Sequence, residues 1–156
     1  METRTGQTRG SDIVLELLHA IEEKDYDRAS RYLSNDFTFT GPVPKPVDNK
    51  GFIEVHRSLL KAIPDWRFNF KPIKENENEV TGKVHITGTQ TGDLTLPMMP
   101  NVGTIRATGK RISLPEENVQ FRLKSNKVSG LKVDVIPNGG VTGILQQIGV
   151  DVHQLV

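Results

Sequence analysis

The chain has 156 residues, with 20 Lys plus Arg against 19 Asp plus Glu, 35% hydrophobic residues and no cysteine. That length suits one core, and a formal charge of +1 with no basic stripe argues against a partner held through phosphate neutralisation. The missing cysteines exclude disulfides, thiolate metal sites, iron–sulfur clusters and a cysteine nucleophile.

The N-terminal METRTGQTRGSD has no apolar stretch of signal-peptide length, and no apolar run approaches the roughly 20 residues of a membrane span. The expectation is a cytoplasmic protein with a flexible tail over residues 1–10 and a single domain over 11–156, with no membrane partner.

Ile13, Leu17 and Ile21 form one i, i+4 row and Val14 and Leu18 the next, which predicts a first amphipathic helix with Ser11 as N-cap. Tyr26, Ala29 and Leu33 after Asp25 predict a second, short helix. Phe37 and Phe39 alternate with Thr38 and Thr40, so a short strand runs into the loop of Pro42, Pro44 and Pro46. Phe52, Val55, Leu59 and Ile63 predict a third helix, capped near Asp48 or Asn49 and stopped by Pro64.

The period then drops from 3.6 to 2. Segments 67–73, 79–91, 110–123 and 127–136 read as strands, with polar turns at 76–78 and 125–126 that make neighbours antiparallel. A closing helical turn spans 141–148. Helices first and an antiparallel sheet afterwards predict an α+β fold with three N-terminal helices on one face of a curved sheet.

Four strings carry a resemblance: IPDWRF at 63–68, ITGTQTG at 86–92, ATGKRI at 107–112 and LQQIGV at 145–150. In that order and spacing the chain resembles the SnoaL-like polyketide cyclases of the nuclear-transport-factor-2-like superfamily. The resemblance implies an α+β cone with an apolar pocket inside, a dimer formed through the sheet, and cofactor-free intramolecular aldol chemistry by an aspartate near the final QLG-like turn. Here that position falls at Gly139-Gly140, where no acid stands, and Gln90 replaces a histidine common in the family.

The acid/base candidates are therefore Asp134, His56 and Glu117. His56 lies on the Phe52, His56, Leu60 row, either as a proton-transfer group at a pocket wall or as a boundary histidine bonded to backbone. Asp134 alternates with Val133 and Val135, so it is either a desolvated acid inside the cone or a solvated carboxylate beside Lys132. Glu117 shares parity with Val119, Phe121 and Leu123, against a turn with both Glu116 and Glu117 in water.

Candidate ligand contacts are Trp66, the only tryptophan, His85 on a polar pocket floor with Thr87 and Thr89, Gln90, and Met98-Met99 as a thioether lid. Cross-strand pairing explains His85 equally, and packing on a dimer mate explains the methionines. Four histidines without close ligand spacing predict no metal, and no phosphate-cradling glycine pattern appears, so no cofactor is expected. Two functions follow: a domain binding an apolar or aromatic metabolite with cyclase- or isomerase-type acid/base chemistry, or a non-catalytic, dimeric ligand carrier. Epoxide opening by an arginine and an acid would need one of Arg67, Arg106, Arg111 or Arg122.

Overall fold

The computed structural model describes residues 10–41, 45–96 and 103–150. Met98, Met99 and residues 1–9 of the expected tail lie outside the described residues.

Helix α1, Gly10–Glu22, buries Ile13, Val14, Leu17, Leu18 and Ile21 as their spacing requires. Ser11 does not cap it. The helix starts one residue earlier, so Gly10 belongs to it rather than to a tail. The Ser11 hydroxyl and N–H instead donate to Glu75, at 3.0 and 3.3 Å. A carboxylate from a distant strand thus takes one of the N–H groups that the first turn leaves unpaired.

Helix α2, Tyr26–Arg31, is capped by Asp25, which accepts from the Arg28 N–H at 3.2 Å. It ends before Leu33, which opens strand β1, Leu33–Thr40, opposite Val128. Six residues are too few to hold a helix by local bonds, so strand pairing claims Leu33. Helix α3, Asn49–Ala62, has Asp48 as its cap and buries Phe52, Val55, His56 and Leu59. Pro64 limits it, because the residue before a proline avoids helical angles.

Six further strands follow: β2 Lys71–Glu75, β3 Glu79–Val84, β4 Thr87–Thr89, β5 Arg111–Ser113, β6 Glu117–Lys124 and β7 Lys127–Val133. Their main sheet runs in the order β1-β7-β6-β3-β2, with β4-β5 as a separate pair. Hairpins β2-β3 and β6-β7 are antiparallel, as the short turns predict, whereas β1 joins β7 in parallel.

Two of the long predicted strands break where the sheet turns. Val84 pairs with Glu117 and Thr87 with Ser113, so His85-Ile86 faces the three residues Leu114, Pro115 and Glu116. One side has an extra residue, and Pro115 has no N–H for a ladder. Both features bend a sheet. Segment 67–73 likewise contributes only an isolated bridge, Arg67 with Thr87, before β2 begins. Strand β7 stops at Val133, and helix α4, Gly140–Gln147, closes the described chain.

Val80, Val119, Phe121, Leu131 and Val133 on the inner face of the sheet join the buried sides of α1 and α3 in one core. The opposite face is the one through which the resemblance implies a dimer. It is polar: Thr38, Gln120, Arg122, Lys124, Ser129 and Lys132 line a groove of about 500 Å³ there. The strand alternation that buries the inner row sends these residues outward.

Candidate functional site

A cavity of about 80 Å³ lies inside the cone, with Phe39, Phe52, Phe68 and Phe121 among its walls. His56, Trp66 and Glu117 also line it. Three side chains from α3, the turn after it and the start of β6 therefore meet at one apolar space.

Glu117 stands at the bend just described, and the inward parity of β6 carries it to 2% exposure. Glu116, one residue earlier, faces out and reaches Lys83 at 3.8 Å. One acid of the pair points in and one out, as alternation demands. Glu117 Oε2 accepts the backbone N–H of Gly140 at 2.7 Å. Burial pushes the Glu117 carboxyl above its ordinary range, and that one hydrogen bond opposes the shift only in part.

His56 is 7% exposed, and its Nδ1 lies 2.9 Å from the carbonyl oxygen of Phe52, one turn earlier on α3. A ring nitrogen facing a carbonyl oxygen carries its proton, which leaves Nε2 with a lone pair and no hydrogen-bond partner among the described residues. Burial lowers the pKa to about 4, so the ring is neutral near pH 7. The imidazole is packed against Phe52, with ring centres 4.4 Å apart, and meets Trp66 edge-on at 6.1 Å. The imidazole is thus bonded to backbone and also lines the cavity.

Trp66 is 3% exposed, and its Nε1 is the buried side-chain polar atom left without a partner among the described residues. Asp134 is elsewhere. It is exposed on the outer side of β7's end, where Asn118 Nδ2 donates to it at 3.3 Å. His85 is half-buried and shares a 2.9 Å hydrogen bond with Ser113 Oγ, outside the cavity.

Gln90 is fully buried but serves the backbone rather than the cavity. Its Nε2 donates to the carbonyls of Gly92, Ile105 and Arg106, at 3.2, 3.3 and 3.2 Å, and its Oε1 accepts from the Thr108 N–H and hydroxyl, at 3.1 and 2.6 Å. Arg67, Arg106, Arg111 and Arg122 are all exposed, and none lines the cavity.

Comparison with known sequences now bears on this geometry. The sequence profile described as a SnoaL-like domain matches residues 14–130. The chain belongs to that family. No curated protein matches it.

Solved structures share the fold of this SnoaL-like domain at low identity. IdmH from Streptomyces antibioticus is 17% identical over 92% of this chain and 100% of its own, with a TM-score of 0.69. AclR from Streptomyces galilaeus, provisionally named a hydroxylase, is 20% identical over 90% and 80%, with a TM-score of 0.68. A SnoaL-like polyketide cyclase from Agrobacterium tumefaciens is 14% identical over 92% and 100%, with a TM-score of 0.63.

What the sequence reading missed is how Gly139-Gly140 is used. A Cβ on Gly139 would fall 2.5 Å from Glu117 Oε2, and Gly140 holds φ +63° while donating its N–H to the same oxygen. In this SnoaL-like domain the carboxyl of β6 fills the space beside the turn where the resemblance places an aspartate. The paired glycines were a visible signal, since adjacent residues without Cβ allow another group's close approach.

Proposed function

We propose that this SnoaL-like domain binds a small apolar metabolite in its cone cavity and moves protons on it without a cofactor, as a cyclase or isomerase does. The observation that carries the reading is Glu117: a carboxyl 2% exposed, in an aromatic-walled cavity, held by one backbone N–H. Such a group is held in reserve as an acid, because leaving water disfavours its charged form.

In this reading His56 Nε2 takes a proton from the carbon beside a substrate carbonyl, and Glu117 gives its proton to the carbonyl oxygen. The enol so formed either takes the proton back from His56 at another carbon, which is isomerisation, or attacks a second carbonyl whose oxygen takes that proton, which closes a ring; in both the enol hydroxyl returns its proton to Glu117. A positioned acid and base of this kind supply roughly 10²–10⁴-fold. The fold alone does not choose the reaction, since neighbours of similar shape carry the names cyclase and hydroxylase. Asp134 has no route to the cavity from its exposed place, which ranks it behind Glu117 as the acid.

The apolar walls equally suit the second reading, a non-catalytic carrier. We further propose a homodimer through the outer sheet face, joined by polar rather than apolar contacts, and a cytoplasmic location, which rests on the sequence alone. Proton exchange separates enzyme from carrier. Neutral carbonyl compounds incubated with the protein in D2O should lose α-proton NMR signal, and Glu117→Gln should slow that loss by about 10²-fold or more. Binding without any exchange would leave the carrier.

A further inference from the structure

The walls of the cavity differ in how firmly they are held. Its strands are laced together by ladder hydrogen bonds, and α1 and α3 each bury seven residues. Helix α4 supplies Gly140, Val141 and Ile144 to the cavity, yet it has 8 residues, of which the buried ones are Gly140, Gly143, Ile144 and Leu145. A helix this short does not stand on its local bonds.

Its two ends are fastened unequally. At the C-terminal end Gln147 grips the backbone of Ser113 twice: Oε1 accepts the Ser113 N–H at 2.7 Å, and Nε2 donates to the Ser113 carbonyl at 2.8 Å. Leu145 and Ile148 join the core there. At the N-terminal end the cap is Gly139, which has no side chain to bond the first turn. Among the described residues, the hydrogen bond that ties this turn to the sheet is the one from the Gly140 N–H to Glu117 Oε2, at 2.7 Å. Asn138 and Gly140 stand at φ +66° and +63°, and the two glycines can leave their present angles without a Cβ penalty.

A metabolite also needs a way in. At about 80 Å³ the cavity is well below the roughly 300–1,000 Å³ of small-molecule pockets, so a wall moves when one enters. We propose that α4 is the gate: its first turn swings outward from the Gln147 end, and the Glu117–Gly140 hydrogen bond is the latch that holds it shut. This rests on the cavity as the binding site and not on proton transfer within it. With the gate shut, Glu117 Oε2 faces the turn, and opening releases it toward whatever has entered.

The chain has no cysteine, so one introduced thiol reports one place. Ile144 lines the cavity from α4 at 2% exposure, whereas Ala62, at 0%, belongs to α3. Iodoacetamide should alkylate Ile144→Cys faster than Ala62→Cys. Adding Glu117→Ala should speed the Ile144→Cys reaction by roughly tenfold, the worth of one hydrogen bond, and leave Ala62→Cys within about twofold. Glu117→Gln keeps an acceptor for the Gly140 N–H and should leave both within about twofold. Equal acceleration of the two thiols by Glu117→Ala means general loosening and overturns the proposal, as does an Ile144→Cys rate that it leaves unchanged.

The neutral fluorescent probe N-phenyl-1-naphthylamine separates the gate from the cavity reading. Binding that becomes faster in Glu117→Ala supports both. Binding at an unaltered rate overturns the gate and keeps the cavity as the site. Thiol rates as expected, with neither this probe nor toluene bound, support the moving helix and overturn the cavity reading.

Discussion

Glu117 and His56 shift in opposite senses for one reason, removal from water, and the consequences for stability have opposite signs. The folded pKa of His56, about 4, lies below its ordinary 6.5, so between those values the unfolded chain takes up a proton that the folded chain refuses. Stability should therefore fall as pH drops from about 6.5 toward 4, by on the order of 3 kcal/mol in full. Urea denaturation at pH 7 and pH 4.5 checks this: His56→Phe should lose markedly less stability than wild type between the two.

Glu117 works the other way. Its folded pKa is raised above 4.5, so the stability it contributes is present at low pH and is lost as pH rises through the folded value. Gln at this position keeps an oxygen for the Gly140 N–H but cannot ionise. Glu117→Gln should thus melt at the same temperature as wild type or higher at pH 7.5, while losing turnover. A drop of several degrees would mean that the carboxylate is a structural prop.

At the scale of elements, two features shape the site. The sheet bend at Pro115 turns the start of β6 inward, and the Gly139-Gly140 turn leaves room for the carboxyl that arrives there. Gly139→Ala should destabilise or displace Glu117, because its methyl would meet Oε2 at 2.5 Å. The paired variant Gly139→Ala with Glu117→Ala should recover much of that loss, which a thermal melt of both would read.

Gln90 is a fastener for the 105–108 segment. Its truncation to alanine leaves the part-buried carbonyls of Ile105 and Arg106 without this donor and should destabilise by on the order of 1–3 kcal/mol, without changing ligand affinity.

These elements differ in how well the sequence reveals them. The helix faces were legible because one row of residues either meets the core or does not: Ile13, Leu17 and Ile21 are all buried. The inward turn of Glu117 was legible as one of two alternatives, its parity with Val119 and Phe121. Strand breaks were not, because His85 and Ile86 continue the alternation while the partner strand has three residues against their two. Asp134 failed as a pocket acid for the converse reason. Its own row, shared with Lys132, is the outer one, and period alone does not say which row faces in. Gln90 was named as a ligand contact, whereas its side chain makes four hydrogen bonds to the 105–108 segment and one to Gly92, which depend on a fold that no local pattern encodes.

For the whole molecule, the polar outer face changes what kind of dimer is expected. Arg122, Lys124 and Lys132 stand around its groove with Asp36, which already pairs with Lys124, so a pairing of two such faces would rest on hydrogen bonds and would bring like charges together. Sedimentation at micromolar concentration should give twice the 17.4 kDa chain mass, with association strengthened by added salt, which screens the like charges. A monomer at every concentration would leave that groove facing water. None of this touches the cavity, which lies on the other side of the sheet.

The central claim is that the carboxyl inside the cone, and not the one outside it, carries the proton. It is tested by α-proton exchange of cyclohex-2-enone in D2O, followed by NMR for wild type, Glu117→Gln and Asp134→Asn across pH 4 to 8. The account predicts a rate that Glu117→Gln lowers by about 10²–10⁴-fold and that Asp134→Asn leaves within twofold. Exchange that survives Glu117→Gln and collapses in Asp134→Asn would contradict it.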